Sequence, residues 1–368
     1  MEMKVIQVIP TLELAGAERM CETLTIELKR KNIDVQVVSL FYSDTPISQR
    51  LIEEGIKVTF LNKRAGLDLS VIGKLKKIFE QERPDVIHTH LNAQKYVALA
   101  ARRLSIPICV HTVHNVAQKE LNKADMFFAK HLYKSGRAVP VALSDTIQET
   151  INEVYKIPLD SIPVIFNGID LSKCIPKTTY ATGEMINVLH IGRFADQKNH
   201  KGLIDAFKIF HSNRPNSVLN LIGEGEKFEE TIKYTEDNQL SDCVLFLGKK
   251  AEVYKYINEA DIFILPSIYE GMPITLIEAM GTASPIIATN VGGVPDMLEN
   301  NIDAILTSVD SEEIANALVV LSDDLALRKK LGENALIRAK TFSSEEMAYK
   351  YMEIYRGDTN DRAAKNRV

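Results

Sequence analysis

One strand–turn–helix unit stands out in the sequence, and the rest can be interpreted outward from it: Ile262-Phe-Ile-Leu-Pro-Ser-Ile-Tyr-Glu270-Gly-Met-Pro-Ile-Thr-Leu-Ile-Glu278-Ala-Met280. The apolar run before Pro266 is typical of a strand buried on both faces. Gly271 predicts a turn, and Pro273 is favourable as the first residue of the helix that follows. Strand, turn and helix in this order form a βα unit, which builds parallel sheets covered by helices.

The same alternation of strands and helices extends in both directions from this unit, and it forms two successive series. Runs of β-branched residues predict strands at Lys4–Ile9, Val35–Leu40, Lys57–Leu61, Val86–His90, Ile108–His111 and Val139–Leu143, then at Ile186–Ile191, Val218–Ile222, Val244–Leu247, Ile262–Leu265, Ile286–Ala288 and Ala304–Leu306. Helical periodicity predicts helices at Ala17–Arg30, Ser48–Glu54, Ser70–Gln81, Ala93–Leu104, His200–His211, Glu226–Asn238, Val253–Glu259, Thr275–Met280, Glu312–Ser322 and Leu325–Lys340. The sequence therefore predicts an α/β fold of two doubly wound, Rossmann-like domains, residues 1–170 and 171–345, facing across a cleft. The Pro-, Thr- and Lys-rich segment Ile157–Gly183 contains the predicted linker.

The composition excludes several classes of protein. With 368 residues, 45% of them hydrophobic and 25% charged, the chain is long enough for two cores and shows no bias typical of disorder. Its 44 basic and 49 acidic residues lack the basic excess of a dedicated nucleic-acid-binding protein. The four cysteines form no Cys-x-x-Cys pair, no signal peptide is recognisable, and no apolar run approaches the ~18 residues of a membrane span. We therefore expect a cytoplasmic protein.

A basic segment in the first half leaves two interpretations open. Between Arg102 and Arg137, lysines and arginines outnumber acids, and Lys123–Lys134 interleaves lysines with large apolar residues. A surface helix that buries one face accounts for this pattern. An amphipathic patch that contacts lipid headgroups or an anionic acceptor also accounts for it, and would bring the protein to the inner face of the membrane.

Glu270 and Glu278 are the first candidate binding residues. One lies in the turn and the other in the helix, so at 1.5 Å rise per residue they are at most ~12 Å apart. Carboxylates accept hydrogen bonds from paired sugar hydroxyls, while free N–H groups at a helix start suit phosphate. A helix-surface acid without a ligand is the alternative for Glu278, and the position beside Gly271 weakens that alternative for Glu270.

A second cluster, Gly192-Arg193 with Lys198, follows the first strand of the second domain. The two cations can together hold a diphosphate without a metal, and they can stabilise the charge of a departing nucleoside diphosphate. In the first domain, Gly16 lets the backbone approach a phosphate at the start of the first helix. The Gly-x-Gly-x-x-Gly pattern is absent, which disfavours dinucleotide binding, and the absence of a P-loop motif excludes a P-loop kinase or ATPase.

Four histidines lie close together in the sequence. His88 and His90 share one face of a strand, as zinc ligands can, but no carboxylate or cysteine completes a ligand set, and we expect no metal site. His111 is expected to pack at a strand end. His114 lies in a loop, where it can hydrogen-bond a sugar hydroxyl or stabilise positive charge at an anomeric carbon.

These motifs together resemble the retaining glycosyltransferases of family GT4, which adopt the GT-B fold. The similar elements are the Glu-x7-Glu motif (Glu270 to Glu278), the diphosphate-binding motif (Gly192-Arg193 and Lys198), the domain-linking motif (Asn167-Gly168-Ile169-Asp170), the glycine loop (Gly16-Ala17-Glu18) and the His-Asp element (His114-Asn115). The resemblance covers nearly the whole chain in the same order. Ala15 and Asn115 depart from the family pattern of Gly and Asp, which leaves loop geometry and sugar preference open.

The resemblance implies a role for each matching position. Arg193 and Lys198 would hold the donor diphosphate, Glu270 the transferred sugar and Glu278 the ribose, and His114 would touch the sugar near its reacting face. Arg193, Lys198, Glu270 and His114 would be the catalytic set, and donor binding would also involve Gly16, Glu224, Gly248, Gly271, Met272 and Pro273. The family is metal-independent and uses no cofactor. Its last helix crosses back to the first domain, which assigns residues 346–368 to that helix and a tail.

The implied function is the transfer, with retention, of a hexosyl or N-acetylhexosaminyl group from a nucleotide-sugar. Family frequency favours a UDP-sugar as donor and a glycan, lipid-linked or small-molecule acceptor, in bacterial surface polysaccharide or glycoconjugate biosynthesis. Two alternatives stay open. A nucleotide-sugar epimerase on the same scaffold would release a new epimer without any acceptor. A catalytically silent sugar-nucleotide sensor is disfavoured by the intact charged residues.

Overall fold

Strands and helices alternate through the computed structural model, and they divide into two units. The structure describes residues 3–104, 106, 108–181 and 183–357. The first unit comprises residues 1–168 with 344–368, and the second comprises residues 169–343. The divisions after Gly168 and Ser343 each fall two residues before the predicted boundary. The predicted tail, residues 358–368, lies outside the described residues.

The first unit is built on a sheet of six parallel strands. These are β1 (Lys4–Ile9), β2 (Asp34–Ser39), β3 (Lys57–Phe60), β4 (Val86–His90), β5 (Ile108–Val113) and β6 (Val139–Ala142). Their order in the sheet is β3-β2-β1-β4-β5-β6, the doubly wound Rossmann order. Every residue of β4 is buried, because helices cover both faces of a parallel sheet.

Within the described residues of this unit, seven α-helices connect or follow these strands. They are α1 (Gly16–Arg30), α2 (Pro46–Glu53), α3 (Ser70–Glu82), α4 (Gln94–Ala100), α5 (Ala117–Glu120), α6 (Lys123–Lys134) and α7 (Asp145–Tyr155). Helix α1 buries Met20, Leu24 and Leu28, the face that its periodicity indicates. Helix α4 ends at Ala100, four residues before the predicted end at Leu104.

The second unit repeats the architecture. Its strands are β7 (Ile186–Ile191), β8 (Ser217–Ile222), β9 (Val244–Phe246), β10 (Ile262–Leu265), β11 (Ile286–Thr289) and β12 (Ile305–Thr307). Its helices are α8 (His200–Asn213), α9 (Phe228–Asp237), α10 (Tyr254–Glu259), α11 (Ile274–Gly281), α12 (Val294–Met297), α13 (Ser311–Asp323) and α14 (Leu325–Ala339). The order β12-β11-β10-β7-β8-β9 is the same winding viewed from the other edge. Two doubly wound α/β units, as predicted, are therefore confirmed.

Helix α15 (Ser344–Tyr355) packs on the first unit, to which it belongs. Its first residue, Ser344, donates a hydrogen bond from Oγ to Glu27 Oε1 of α1 at 3.2 Å. Tyr351 and Tyr355 are buried and point towards the sheet, where their hydroxyls contact Thr112 and His88. Among the helices of the described residues, none is long and apolar enough to cross a membrane.

Candidate active site

Glu270 is held by charge and hydrogen bonds in the loop after β10. Lys198 Nζ lies 2.6 Å from Glu270 Oε1, and Ser267 donates its hydroxyl hydrogen to the same oxygen at 2.6 Å. Gln197 Nε2 donates to Glu270 Oε2 at 3.3 Å. Only 4% of Glu270 is exposed. A buried carboxylate with a cation and two further donors has a fixed orientation, which is what recognition of a polar ligand requires.

The two loops that carry this ion pair leave neighbouring strands at the same edge of the sheet. Strand β10 pairs with β7 in parallel, so their carboxyl ends lie side by side. Ile268 N–H donates to Gln197 O at 2.8 Å, and Asn199 Nδ2 donates to Pro266 O at 3.1 Å. These bonds join the loops directly, and so the distance between Lys198 and Glu270 is set by backbone as well as by charge.

A glycine turn supports the backbone of Glu270 from the other side. Gly293 N–H donates to Glu270 O at 3.2 Å. Gly292 has φ +54°, and a Cβ built there would lie 1.9 Å from Glu270 O. Only glycine fits at this position, both for its backbone conformation and for the close approach.

The prediction for Pro273 is wrong by one position. Helix α11 begins at Ile274, and Pro273 is the residue before it, in an extended conformation with φ −71° and ψ 116°. The fixed φ of proline suits both positions, so sequence reasoning could not distinguish them. No side chain caps this helix start. Gly271, Met272 and Pro273 are all buried and lead directly from Glu270 into the open helix end.

Arg193 lies on the surface, in contrast to Lys198. Its guanidinium pairs with Glu226, with Nη2 and Oε2 2.9 Å apart, and both side chains are largely exposed. Because the pair is solvated, it contributes little to stability and an incoming anion can displace Glu226. Both proposed diphosphate cations are thus matched by a glutamate in this structure.

A second glycine turn fixes the backbone around Arg193. Gly192 N–H donates to Ile222 O, and Phe194 N–H donates to Glu224 O at 3.0 Å. A Cβ on Gly223 would lie 1.9 Å from Gly192 O, so the turn and the Arg193 loop are in direct backbone contact. Gly223 N–H in turn donates to Gly248 O at 3.1 Å. The predicted residues Glu224 and Gly248 are therefore assembled beside Arg193, and the Glu224 side chain is exposed.

Glu278 is not the helix-surface acid that the alternative interpretation describes. It lies within α11 with 1% of its surface exposed. Burial raises the pKa of the nearby Cys174 thiol to about 12, and the negative charge of Glu278 contributes to that rise. Burying a carboxylate costs solvation free energy unless its oxygens find polar partners.

Two buried histidines beneath Lys198 were not predicted as part of the site. His190 Nδ1 lies 2.9 Å from Ile264 O, and His200 stacks on Phe194 with ring centroids 4.0 Å apart. Burial lowers the pKa of His190 to about 4 and that of His200 to about 2, so both rings are neutral at pH 7. A Cβ on Gly192 would lie 2.9 Å from His190 Nε2 and 3.3 Å from Lys198 Cδ. The His190 ring and the Lys198 side chain therefore both lie close to Gly192, and His200 packs against His190, with ring centroids 5.0 Å apart.

The first unit contains the other two predicted site residues. Gly16 is the first residue of α1; Ala15 before it makes no side-chain cap, and a Cβ on Gly16 would meet open space. His114 follows β5, and its Nε2 lies 3.0 Å from His90 Nδ1. Burial lowers the pKa of His114 to about 3, with a further contribution from His111. Burial also raises the pKa of Glu120 to about 7, although the backbone N–H groups of His114 and Asn115 face its carboxylate.

His88 and His90 are engaged in hydrogen bonds to protein groups. His88 contacts Tyr355 and Thr112, and His90 contacts Gln7 and His114. Within the part of the chain that the structure describes, no group of three or more His, Cys, Asp or Glu residues is arranged to hold a metal ion. His111 is fully buried within β5, before its end at Val113, and its Nδ1 lies 2.9 Å from Thr89 Oγ1.

The structure brings the predicted residues of the second unit together at one sheet edge and adds partners that sequence reasoning missed. The added residues are Gln197, Ser267, His190, His200 and the Gly292–Gly293 turn. Gln197 is adjacent to Lys198 in the sequence and Ser267 is three residues before Glu270, and that proximity was the signal available. Gly16 and His114 belong to the first unit.

Comparisons with known proteins identify the family and the fold. Residues 14–173 match the family model described as Glycosyltransferase Family 4, and residues 179–338 match Glycosyl transferases group 1. The chain is 30% identical over 283 residues to the UDP-Gal:alpha-D-GlcNAc-diphosphoundecaprenol alpha-1,3-galactosyltransferase of Escherichia coli, covering 71% of this chain and 72% of that protein. It is 25% identical over 286 residues to the N-acetylgalactosamine-N,N'-diacetylbacillosaminyl-diphospho-undecaprenol 4-alpha-N-acetylgalactosaminyltransferase of Campylobacter jejuni, covering 75% and 77%. The crystal structure of Anabaena Alr3699/HepE in complex with UDP and glucose has the same fold, with a TM-score of 0.84, 20% identity and coverage of 96% and 99%.

Proposed function

Because the chain belongs to glycosyltransferase family 4, within the group 1 glycosyl transferases, we propose that it transfers a hexosyl or N-acetylhexosaminyl group from a UDP-sugar with retention of configuration. The observation that carries the proposal is the buried Lys198–Glu270 pair at the carboxyl edge of the second sheet. It offers a cation for a phosphate and a carboxylate for sugar hydroxyls within one hydrogen-bonded unit.

The donor diphosphate would bind where Arg193, Lys198 and the open start of α11 present positive charge. Lys198 would exchange part of its contact with Glu270 for a phosphate oxygen, and Arg193 would release Glu226. These fixed cations and the helix amides stabilise the negative charge that develops on the departing diphosphate, which is the role a metal ion has in other transferases. UDP is favoured because the E. coli relative is named for UDP-Gal and the Anabaena structure contains UDP.

The transfer step would take place on one face of the sugar. The bond between the anomeric carbon and the diphosphate oxygen breaks, an acceptor hydroxyl oxygen bonds to the same face of that carbon, and the hydroxyl proton passes to the departing phosphate. Glu270, held by Ser267 and Gln197, would position the sugar through its hydroxyls. His114 is proposed to contact a hydroxyl of the donor sugar.

We propose a lipid-linked or glycan acceptor and contact with the cytoplasmic face of a membrane. The E. coli and C. jejuni relatives are both named for diphospho-undecaprenol substrates. Helix α6 buries Ala129, Leu132 and Tyr133, as the surface-helix interpretation requires. The same helix presents Lys123, Phe127, Lys130 and Lys134 at helical spacing on another face, and Phe127 is 80% exposed. One exposed aromatic ring among lysines suits an anionic lipid surface.

A thermal-shift experiment tests the donor site. We expect UDP at about 100 times its Kd to stabilise the protein by about 2.7 kcal/mol and to raise its Tm. GDP and ADP are expected to give smaller shifts. Lys198→Met should abolish the UDP shift, whereas Lys201→Met, an exposed lysine paired with Glu230 on the same segment, should retain it. The proposal is wrong if Lys198→Met, folded by circular dichroism, responds to UDP like the parent protein.

Sedimentation with vesicles tests the membrane contact. We expect the protein to pellet with vesicles containing anionic phospholipid and to remain in the supernatant with zwitterionic vesicles. Phe127→Ala should reduce the pelleted fraction severalfold, while Ile337→Ala, also an exposed apolar residue, should not change it. Equal pelleting of both variants with the parent would contradict contact through α6.

A further inference from the structure

A buried row of polar side chains leads from the centre of the first sheet to His114. Gln7 lies on β1 and His90 on the adjacent strand β4, and neither exposes any surface. Gln7 Oε1 lies 2.8 Å from His90 Nε2, and His90 Nδ1 lies 3.0 Å from His114 Nε2. The row therefore consists of two hydrogen bonds in series, the first between neighbouring strands β1 and β4 and the second from β4 to the residue that follows β5.

The acceptor at the Gln7 end of the row determines which ring nitrogen of each histidine carries the proton. The Gln7 carbonyl oxygen can only accept, so His90 must carry its proton on Nε2. Burial lowers the pKa of His90 well below its ordinary value, which keeps the ring neutral with a single proton. His90 Nδ1 is then a lone pair and accepts from His114 Nε2–H. Burial also lowers the pKa of His114, so its own Nδ1 carries no proton.

The Gln7 side chain also lies close to Tyr355. Burial raises the pKa of the Tyr355 hydroxyl well above its ordinary value, and the Gln7 side chain opposes part of that rise. Tyr355 is itself held by His88 Nδ1, 2.6 Å from its hydroxyl.

We propose that Gln7 and His90 are positioning residues that hold His114 in the Nε2–H tautomer, so that His114 offers an unprotonated Nδ1 as a hydrogen-bond acceptor. This proposal extends the proposed function and depends on it only for the identity of the ligand. A hydroxyl of the donor sugar can donate to Nδ1, and the ring lone pair can stabilise positive charge at the anomeric carbon. A ligand group that itself needs a donor, such as a phosphate oxygen, is not served by this nitrogen.

Nitrogen-15 NMR of the histidine rings tests the tautomer without any substrate. In the parent protein, His114 is expected to show a protonated Nε2 and an unprotonated Nδ1 at pH 7. Gln7→Leu removes the acceptor, and His114 should become a mixture of tautomers. Gln36→Leu is the matched control, since Gln36 is another buried glutamine of the sheet, on β2, outside the row. An Nδ1-protonated His114 in the parent protein overturns the proposal, and so does an unchanged tautomer in folded Gln7→Leu.

Transfer kinetics separate this inference from the proposed function. Gln7→Leu is expected to lower kcat about tenfold with little change in the donor KM, because the diphosphate contacts are untouched. Gln7→Glu keeps an acceptor oxygen and should restore most of kcat. A tautomer change without any sugar transfer in the parent protein would support the hydrogen-bond row and contradict the proposed function. Sugar transfer by a parent protein whose His114 is protonated on Nδ1 would support the proposed function and contradict the hydrogen-bond row.

Discussion

Glu270→Gln is expected to lower kcat for sugar transfer by at least about 100-fold, which corresponds to about 2.7 kcal/mol of transition-state stabilisation. The amide has nearly the same shape, but it accepts at only one position and carries no charge for Lys198. Sugar hydroxyls would lose a charged acceptor, and Lys198 would lose the partner that orients it. The measurement is the initial rate at saturating donor and acceptor.

Glutamine is a better test than alanine because the site is buried. Alanine would leave Lys198 Nζ and the Ser267 hydroxyl without their acceptor, which lowers stability. A loss of folded protein could then not be separated from a loss of transfer activity. Glu230→Gln is the matched control, since Glu230 also accepts from a lysine, Lys201, but lies on the surface. A loss below about tenfold in folded Glu270→Gln would count heavily against a role for this carboxylate in transfer.

A steep loss of stability between pH 6.5 and pH 5 is the second large effect that we expect. Five histidines are almost completely buried: His88, His90, His111, His190 and His200. Burial lowers the pKa of each, to about 3 for His111, about 4 for His190 and about 2 for His200, and well below the ordinary value for His88 and His90. Below pH 6.5 the unfolded chain binds protons at these rings and the folded protein does not, so unfolding becomes more favourable as the pH falls.

The expected size follows from the number of rings. At pH 5, about 1.5 units below the ordinary pKa, each histidine destabilises the folded state by about 2 kcal/mol. Five rings together give about 10 kcal/mol over these roughly 1.5 pH units, which is comparable to the whole stability of a typical domain. Above about pH 7.5 the rings are neutral in both states and contribute almost no pH dependence. Urea unfolding at a series of pH values measures the effect.

Two variants distinguish buried histidines from acid denaturation in general. His111→Gln should reduce the slope of unfolding free energy against pH by about 1.4 kcal/mol per unit below pH 6, whatever constant loss of stability it causes. His131→Gln, at an exposed position on α6, should leave the slope unchanged. A parent protein equally stable at pH 7 and pH 5 would contradict the prediction.

The strands were predictable because a parallel sheet buries both faces. Short runs rich in β-branched residues located β1, β4, β7 and β10 with the observed bounds. Helix α7 was absent from the prediction although the sequence contains its signals. Ser144 Oγ accepts from Ile147 N–H at the helix start, and Ile147, Ile151 and Tyr155 form its buried face.

Residues of the site were predictable only where the sequence of a single loop identified them. Proline and glycine on either side of Glu270 marked a turn, and the cations followed a strand, so the individual residues were found. Their partners depend on which strands are neighbours. Gln197 meets Glu270, 73 residues later, because β10 lies beside β7, and His88 meets Tyr355 because α15 returns to the first sheet. Such contacts follow from topology, which local patterns do not specify.

The pairing of Lys198 with Glu270 and of Arg193 with Glu226 has a consequence for how an anion approaches. Since each cation already has a counter-charge, the two ion pairs add little net charge to this sheet edge and contribute little to the steering of an anion at long range. We expect a ligand to bind strongly only where it can replace both glutamates. A pyrophosphate linkage has two adjacent charges and can do so, while chloride and other small monovalent anions can replace only one, so that anion binding at this edge would depend on charge spacing.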